Sequence, residues 1–305
     1  MDGPIGDGAG AGGAIPSPDR PGLPWTATYW DALRYYYWSV RYVGLKGIPR
    51  GELVRDGDWI RVPAHHLRDT RGVYVREVKA AALEADLHRD EVTLNQVLST
   101  TLAIAADAVI GRLLARPLGL AETGPFERIG DEIAGRYGWG GGENVTQQDG
   151  FYVGPASAIA LEIKLGASTS AEQVLKYAAL HAWEEMRGSP GSGIGLLYVV
   201  PEAHRAGLWR RAGLTGPEEV PALLDRLPAM TALPKRVREF AAAEPGRLGD
   251  VLGRLRVGVI SWAELHAAIG AIREGLGTTP GDETLDRLLM GLAAQIGAHE
   301  GTGVE

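Results

Sequence analysis

The sequence of 305 residues contains no cysteine. This absence excludes disulfides and thiolate-bound metal sites, and it fits a reducing compartment. No apolar run reaches the length of a transmembrane helix, and the N-terminus lacks the basic start and the apolar core of a signal peptide. Together these absences predict a cytoplasmic protein that has no membrane partner.

Several common motifs are also missing. The sequence has no phosphate-binding Gly-x-x-x-x-Gly-Lys motif, no zinc-ligand spacing and no Gly-x-Ser-x-Gly elbow. Basic residues are in the minority, since the formal net charge is -7. This charge argues mildly against a nucleic-acid partner, because phosphate contacts favour a basic surface. Divalent cations bound to a cluster of acids would offset part of it.

The segment 158–164 alternates with period two, as a β-strand does. One face carries only apolar side chains, those of Ile159, Leu161 and Ile163. The other face carries small alanines followed by Glu162 and Lys164. Taken alone, this pair is more typical of a solvated strand face with a weak ion pair than of a site. The alanines, however, leave room for a ligand beside an acid and a lysine.

A second short strand is predicted over residues 147–153, and residues 154–157 can form the turn that joins it to the first. In such a hairpin, Asp149 and Glu162 can meet across the two strands. The alternative is that Asp149 and Gly150 form an ordinary turn. The hairpin interpretation predicts two carboxylates and one ammonium on a single solvent-facing surface.

The flanking segments predict a helix over residues 126–137, a helix through Gln173 and Tyr177, and a buried strand over residues 193–200. The first of these helices would carry Glu127, which competes with two nearby acids for a place in a site. Gln173 and Tyr177 are four residues apart and share one helix face. A structural alternative is that Gln173 completes a capping box at the helix start and that Tyr177 belongs to the core.

This order of helix, strands, helix and strand resembles the PD-(D/E)XK nuclease superfamily. The matching residues are Glu127, Asp149, Glu162, Lys164, Gln173 and Tyr177. The resemblance covers about a quarter of the chain, as residues 126–200. Gln148 departs from the pattern, because it stands where the family name has proline. The fold class expected from the resemblance is α/β, with a restriction-endonuclease-like core of helix, mixed central sheet, helix and strand, and with helical N- and C-terminal flanks.

The resemblance implies a role for each residue. Asp149, Glu162 and Glu127 would bind Mg²⁺, with Mn²⁺ as a substitute, because hard cations prefer carboxylate oxygens and keep several waters. Lys164 would be the catalytic lysine, which positions water or stabilises charge. The remaining two residues of the set, Gln173 and Tyr177, would orient Lys164 or contact a backbone phosphate.

The implied function is a Mg²⁺-dependent DNA endonuclease, most simply of restriction or defence type, with the flanks supplying recognition and contacts of a homodimer. A repair or recombination nuclease that acts on DNA ends or branched DNA is the alternative that the Gln-x-x-x-Tyr pair favours. A third hypothesis, from another class, is an interaction protein that keeps the fold without catalysis. A second Glu-x-Lys pair, Glu77 and Lys79 with Asp69 upstream, is the rival site and is interpreted as a structural strand face.

Four regions are expected along the chain. Residues 1–24 are rich in glycine, proline and alanine without periodicity, which predicts a disordered tail. Residues 25–120 form an N-terminal α+β region for recognition or dimerisation, in which residues 94–116 make the strongest helix. The nuclease-like core spans residues 121–203, and residues 204–305 are predicted to be a C-terminal helical region.

Overall fold

The computed structural model describes residues 91–130, 136–137, 145–146, 148–166, 168–188 and 193–304, together with short strands between residues 37 and 79. These short strands are β1 (Tyr37–Trp38), β2 (Ile48–Pro49), β3 (Val54–Asp56), β4 (Trp59–Arg61) and β5 (Glu77–Lys79). The first two pair with each other, and β3, β4 and β5 form an antiparallel sheet in that order. The rival pair therefore lies at the two ends of β5, whereas Asp69 and the tail predicted to be disordered lie outside the described residues.

The central sheet has five strands in the order β10-β9-β8-β7-β6. Their bounds are β6 (Glu127–Arg128), β7 (Gly150–Val153), β8 (Ser157–Ile163), β9 (Gly193–Val200) and β10 (Arg256–Ser261). Strands β8, β9 and β10 are parallel, while β7 is antiparallel to both of its neighbours. The sheet is therefore mixed, with an antiparallel hairpin on one side and a parallel half on the other.

Helices connect and cover these strands. Their bounds are α1 (Glu91–Ile104), α2 (Asp107–Ile110), α3 (Ala171–Met186), α4 (Glu202–Arg205), α5 (Leu223–Arg226), α6 (Lys235–Ala243), α7 (Pro245–Arg254), α8 (Trp262–Glu274) and α9 (Pro280–Ala298). In the part of the chain that the structure describes, no helix has both the length and the apolar character needed to cross a bilayer.

Two hydrophobic cores lie on opposite faces of the sheet. The core on one face contains Ile159, Leu161 and Ile163 of β8, packed with buried residues of α1, α8 and α9. The core on the other face contains Ala158 and Ala160 with buried residues of α3, α6 and α7. The protein is thus built from three layers, helices on both faces of one sheet, which confirms the predicted α/β class.

Strand β8 shows the predicted alternation, but neither of its faces is exposed to solvent. Every residue of β8 is buried, including Glu162. The cause is α3, which packs over Ala158 and Ala160, since alanine side chains are small enough to let a helix approach closely. The face expected to be exposed to solvent is therefore an interior surface.

Residues 126–130 do not begin a helix, contrary to the prediction for 126–137. Glu127 and Arg128 form the edge strand β6, which pairs with β7. Phe126 is buried in the core beside α1, whereas Ile129 is buried in the core beside α3. Residues three apart lie on the same face of a helix but on opposite faces of a strand, so the burial of this pair suits a strand.

The C-terminal region contributes a strand that the sequence analysis did not include. Strand β10 pairs with β9 along its whole length and extends the sheet beyond residue 203. The rest of the region after residue 230 is mainly helical and contains α6 to α9. The predicted helix 94–116 is interrupted after Ile104 and continues through α2 into a π-helical turn. Gly111 begins that turn, where a side chain would overlap the backbone of Glu122.

The burial of His181 predicts that the protein loses stability as the pH falls below neutral. Its Nε2 lies 3.0 Å from the carbonyl oxygen of Gly195, and burial lowers its pKa from 6.5 to about 4. Below pH 6.5 the unfolded chain therefore gains a proton that the folded chain does not accept until about pH 4. We expect this difference to remove roughly 2–3 kcal/mol of unfolding free energy between pH 7.5 and 4.5.

The measurement is urea unfolding of the natural protein and of His181→Gln at both pH values. Glutamine keeps a donor for the carbonyl of Gly195 but does not titrate. We expect the variant to lose less stability on acidification, whatever its stability at pH 7.5. Equal losses in the two proteins would contradict the assignment.

Candidate functional site

The predicted pair of acids meets at the end of the β7–β8 hairpin. Gly150 lies opposite Leu161 in the strand register, so Asp149, one residue before β7, lies opposite Glu162. Directly opposed residues in an antiparallel pair have neighbouring side chains. The ammonium of Lys164, just beyond β8, forms an ion pair with Oε1 of Glu162.

Helix α3 supplies two further partners for Glu162. The amide of Gln173 donates a hydrogen bond to Oε1 of Glu162, and the hydroxyl of Tyr177 donates one to Oε2. Ser170 caps the helix by accepting the backbone N–H of Gln173 at 3.2 Å. Because the side chain of Gln173 binds Glu162, it does not complete a capping box. Tyr177 is fully buried and so belongs to both the core and the site.

Asp149 is held from two directions. Its Oδ2 accepts the backbone N–H of Ile163 at 2.8 Å, and its Oδ1 accepts the side-chain amide of Asn95 at 2.8 Å. The hydroxyl of Ser99 lies 3.0 Å from the backbone carbonyl oxygen of Asp149 and 3.2 Å from Oδ1 of Asn95. The end of the hairpin is therefore fixed against α1, which the sequence analysis placed outside the site.

The third acid of this cluster is Glu91, which lies at the start of α1. Oε2 of Glu91 accepts the backbone N–H of Leu165 at 2.9 Å. Its charge is close enough to raise the pKa of both Asp149 and Lys164. Sequence reasoning missed Glu91, although one signal was available: positions 91, 95 and 99 are spaced by four residues, which places their polar side chains along one face of a helix.

Glu127 does not join this cluster. It is exposed on β6 and lies opposite Val153, at the far end of β7 from Asp149. Asp149 and Val153 are four residues apart along the strand, a span of about 13 Å at the usual rise. Glu127 instead forms an ion pair of 3.3 Å with Arg136. The prediction that Glu127 joins the two other acids is therefore wrong for this structure, and the helical acid near them is Glu91.

The backbone around Lys164 is fixed by the rest of the sheet and by the C-terminal helices. Its N–H donates to the carbonyl of Val199 at 2.9 Å, which continues the pairing of β8 with β9. Its carbonyl accepts the indole N–H of Trp262 at 3.3 Å. Trp262 is fully buried at the start of α8. Residues far apart in the sequence therefore position the lysine.

Burial and like charge shape the ionisation of the site. Burial, and then the neighbouring charge of Glu162, raises the pKa of Asp149 to about 8. Burial also raises the pKa of Glu162, although Lys164 opposes that shift. For Lys164, burial lowers the pKa, but the charge and hydrogen bond of Glu162, together with the charges of Glu91 and Asp149, outweigh burial, so the pKa lies above its usual range. Lys164 is therefore a cation at neutral pH.

The donor chemistry of this cluster fits one hard cation. Within the described residues, no group of three or more His, Cys, Asp or Glu side chains is arranged to hold a metal ion. Magnesium, however, is usually bound through only one or two carboxylates together with water and substrate oxygens. Asp149 and Glu162 would provide those two carboxylates. Oε1 of Glu162 already binds both Lys164 and Gln173, whereas Oε2 of Glu162 and the two oxygens of Asp149 each have one partner and can accept another.

Comparisons of the chain with protein-family models, with curated proteins and with solved structures gave no match. The resemblance to the PD-(D/E)XK superfamily therefore rests on the residues of this site and on the order of the elements that carry them.

The raised pKa of Asp149 predicts that its ionisation destabilises the fold. The unfolded carboxyl ionises near pH 3.8 but the folded one near pH 8, so stability falls as pH rises between these values. Asp149→Asn removes this cost. The asparagine oxygen can still accept the N–H of Ile163, and its N–H₂ can donate to Asn95 once the Asn95 amide turns its oxygen towards it. We expect the variant to be more stable at pH 7.5 in EDTA, by about 1 kcal/mol or more.

Urea unfolding between pH 4.5 and 8 tests this, and the gain should grow as pH rises. Asp225→Asn is the matched control, because Asp225 is exposed and lies outside the site. A variant at Asp149 that is less stable at every pH would contradict the electrostatic assignment.

Proposed function

We propose that this protein is a Mg²⁺-dependent nuclease that hydrolyses phosphodiester bonds of DNA. The observation that carries the proposal is the convergence of Asp149, Glu162 and Lys164 at one end of the β7–β8 hairpin. Two carboxylates suit a hard cation, and a protonated lysine beside them suits the negative charge of a phosphodiester. A stable fold does not require such a group of buried charges.

The arrangement of the elements supports the same proposal. The elements that form and cover this part of the sheet follow one another along the chain as α1, then strands β6, β7 and β8, then α3 and β9. This is the order of helix, strands, helix and strand that the resemblance to PD-(D/E)XK nucleases calls for. The helix at the front of this order is α1 rather than the segment 126–137, and its acid is Glu91.

Each side chain has a defined task in the proposed reaction. Asp149 and Glu162 would hold Mg²⁺, which when bound polarises a phosphoryl group and lowers the pKa of a water ligand. Gln173 and Tyr177 each hold one oxygen of Glu162 and so fix the orientation of that carboxylate. Lys164 stays protonated, so it serves to stabilise developing charge on the phosphate rather than to remove a proton.

Restriction or defence cleavage of internal sites remains our first expectation for the reaction. A repair or recombination nuclease acting on ends or branched DNA is the second candidate. It is favoured by the contact of both members of the Gln-x-x-x-Tyr pair with Glu162. Substrate topology separates the two, because an endonuclease cuts a closed circle and an exonuclease does not.

The central test incubates covalently closed plasmid, linear DNA and single-stranded DNA with the protein in Mg²⁺, in Mn²⁺ and in EDTA. We expect metal-dependent cutting that falls on the order of 100-fold or more in a Glu162→Gln, Lys164→Ala double variant. The matched control is Glu172→Gln, Lys176→Ala, which changes the same residue types on α3 outside the site.

No cutting of any of the three DNA substrates with either metal would refute the nuclease and favour the interaction protein. Cutting that survives in the double variant would move the site to Glu77 and Lys79.

The structure also predicts which third acid matters. Glu91→Gln keeps an acceptor for the N–H of Leu165 but removes a charge that acts on Asp149 and Lys164. We expect this variant to cleave about 10–100-fold more slowly, the usual effect of losing a group that supports a metal site. Glu127→Gln should cleave within about twofold of the natural rate, since that acid lies at the other end of β7. The opposite ranking of the two variants would restore Glu127 to the site.

A further inference from the structure

A cavity of about 350 Å³ lies beyond the ends of the parallel strands β8 and β9. One wall is the loop between β8 and α3, with Gly166 and Ser168. The other wall follows β9 and includes His204, Gly207 and Arg210. Its volume lies within the range of small-ligand pockets, near the lower end.

The cavity adjoins the candidate site. Gly166 follows Lys164 by two residues, so their Cα atoms are at most about 7 Å apart. Ser168 lies on the same loop, just before the helix that carries Gln173 and Tyr177. The cavity therefore lies beside the segment of chain that follows Lys164.

The charge of the cavity is positive and is not neutralised by neighbouring acids. Arg210 is exposed, and no carboxylate among the described residues pairs with it. By contrast, nearby Arg205 is bound to Glu202 and Glu264. Arg205 therefore has a structural role, whereas the guanidinium of Arg210 is free to bind an anion.

Two glycines lie against the two basic side chains that line the cavity. A Cβ atom added at Gly207 would lie 3.3 Å from Nη2 of Arg210, so the guanidinium rests against this glycine. A Cβ atom added at Gly166 would lie 3.8 Å from Cε1 of His204, so the imidazole faces the opposite wall. Ser168, on the first wall, adds a neutral side chain that can donate a hydrogen bond.

We propose that this cavity binds the phosphate group of the nucleotide next to the bond that is cleaved, with Arg210 as its main ligand and His204 and Ser168 as further donors. Guanidinium groups bind phosphate through charge-assisted, often paired hydrogen bonds. This inference rests on the proposed nuclease function, because the neighbouring nucleotide belongs to its DNA substrate.

The test measures binding of a fluorescein-labelled ten-nucleotide oligothymidylate by anisotropy in EDTA, where no cleavage occurs. Arg210→Ala should weaken binding about tenfold, as expected for loss of a charge-assisted contact. It should also reduce the slope of log K against log salt by about 0.7, the value for one phosphate contact on a single strand. A merely structural role for Arg210 would not change this slope.

Two further variants separate charge from folding. Arg211→Ala is the matched control: Arg211 is the exposed neighbour in the same turn, does not line the cavity, and should bind within about twofold of the natural protein. Ala203→Trp fills the cavity while leaving its charges in place, and it should weaken binding about as much as Arg210→Ala. Equal binding by the natural protein, Arg210→Ala and Ala203→Trp would overturn the inference.

Competition with thymidine monophosphate and with inorganic phosphate identifies the source of the phosphate. Displacement of the oligonucleotide by thymidine monophosphate, lost in Arg210→Ala, supports the nucleotide subsite. If inorganic phosphate binds through Arg210 while oligonucleotide binding is insensitive to Arg210→Ala, the cavity is a free-anion site and the inference fails.

Failure of this inference differs from failure of the proposed function. If the plasmid is cut but the affinity for the oligonucleotide is unchanged in Arg210→Ala and Ala203→Trp, the subsite is refuted and the nuclease stands. If no DNA is cut with either metal but oligonucleotide binding depends on Arg210, the cavity assignment is supported and the nuclease is refuted.

Discussion

The carboxylate of Glu162 lies almost wholly inside the protein, with 2% of its surface exposed. A buried acid is tolerated only when other groups bind its oxygens. Here the oxygens of Glu162 are bound by Lys164, Gln173 and Tyr177. The first of these donors lies just beyond β8, and the other two come from the first turns of α3. The apolar packing of that helix on the sheet therefore also fixes the orientation of the buried carboxylate.

The other carboxylate is supported from a separate part of the chain. Asp149 lies just beyond β7, where Asn95 of α1 reaches its side chain and Ser99 lies beside its backbone carbonyl. Glu91 of the same helix binds the backbone just after Lys164. The two acids thus have independent supports, one from α3 and one from α1, while the register of the hairpin brings them together.

Local patterns made much of this predictable, and distant contacts did not. The period-two alternation of β8 and the turn before it were enough to place Asp149 opposite Glu162, because register follows from hairpin geometry. The four-residue spacing of Gln173 and Tyr177 was likewise enough to place both on one face of α3. Nothing local links Glu91 to residues more than 50 positions away. Equally, nothing local shows that β10, a short strand between two helices, joins the sheet.

Trp262, whose indole holds the carbonyl of Lys164, has a consequence for how the protein is made. The ribosome releases the chain from the N-terminus, so Glu91, Asp149 and Glu162 all emerge before this tryptophan. The lysine acquires its full backbone support only after β10 and the start of α8 have been synthesised. A chain that stops before Trp262 therefore contains every acid of the site together with α1 and α3, which support them, but it lacks the indole that binds the carbonyl of Lys164.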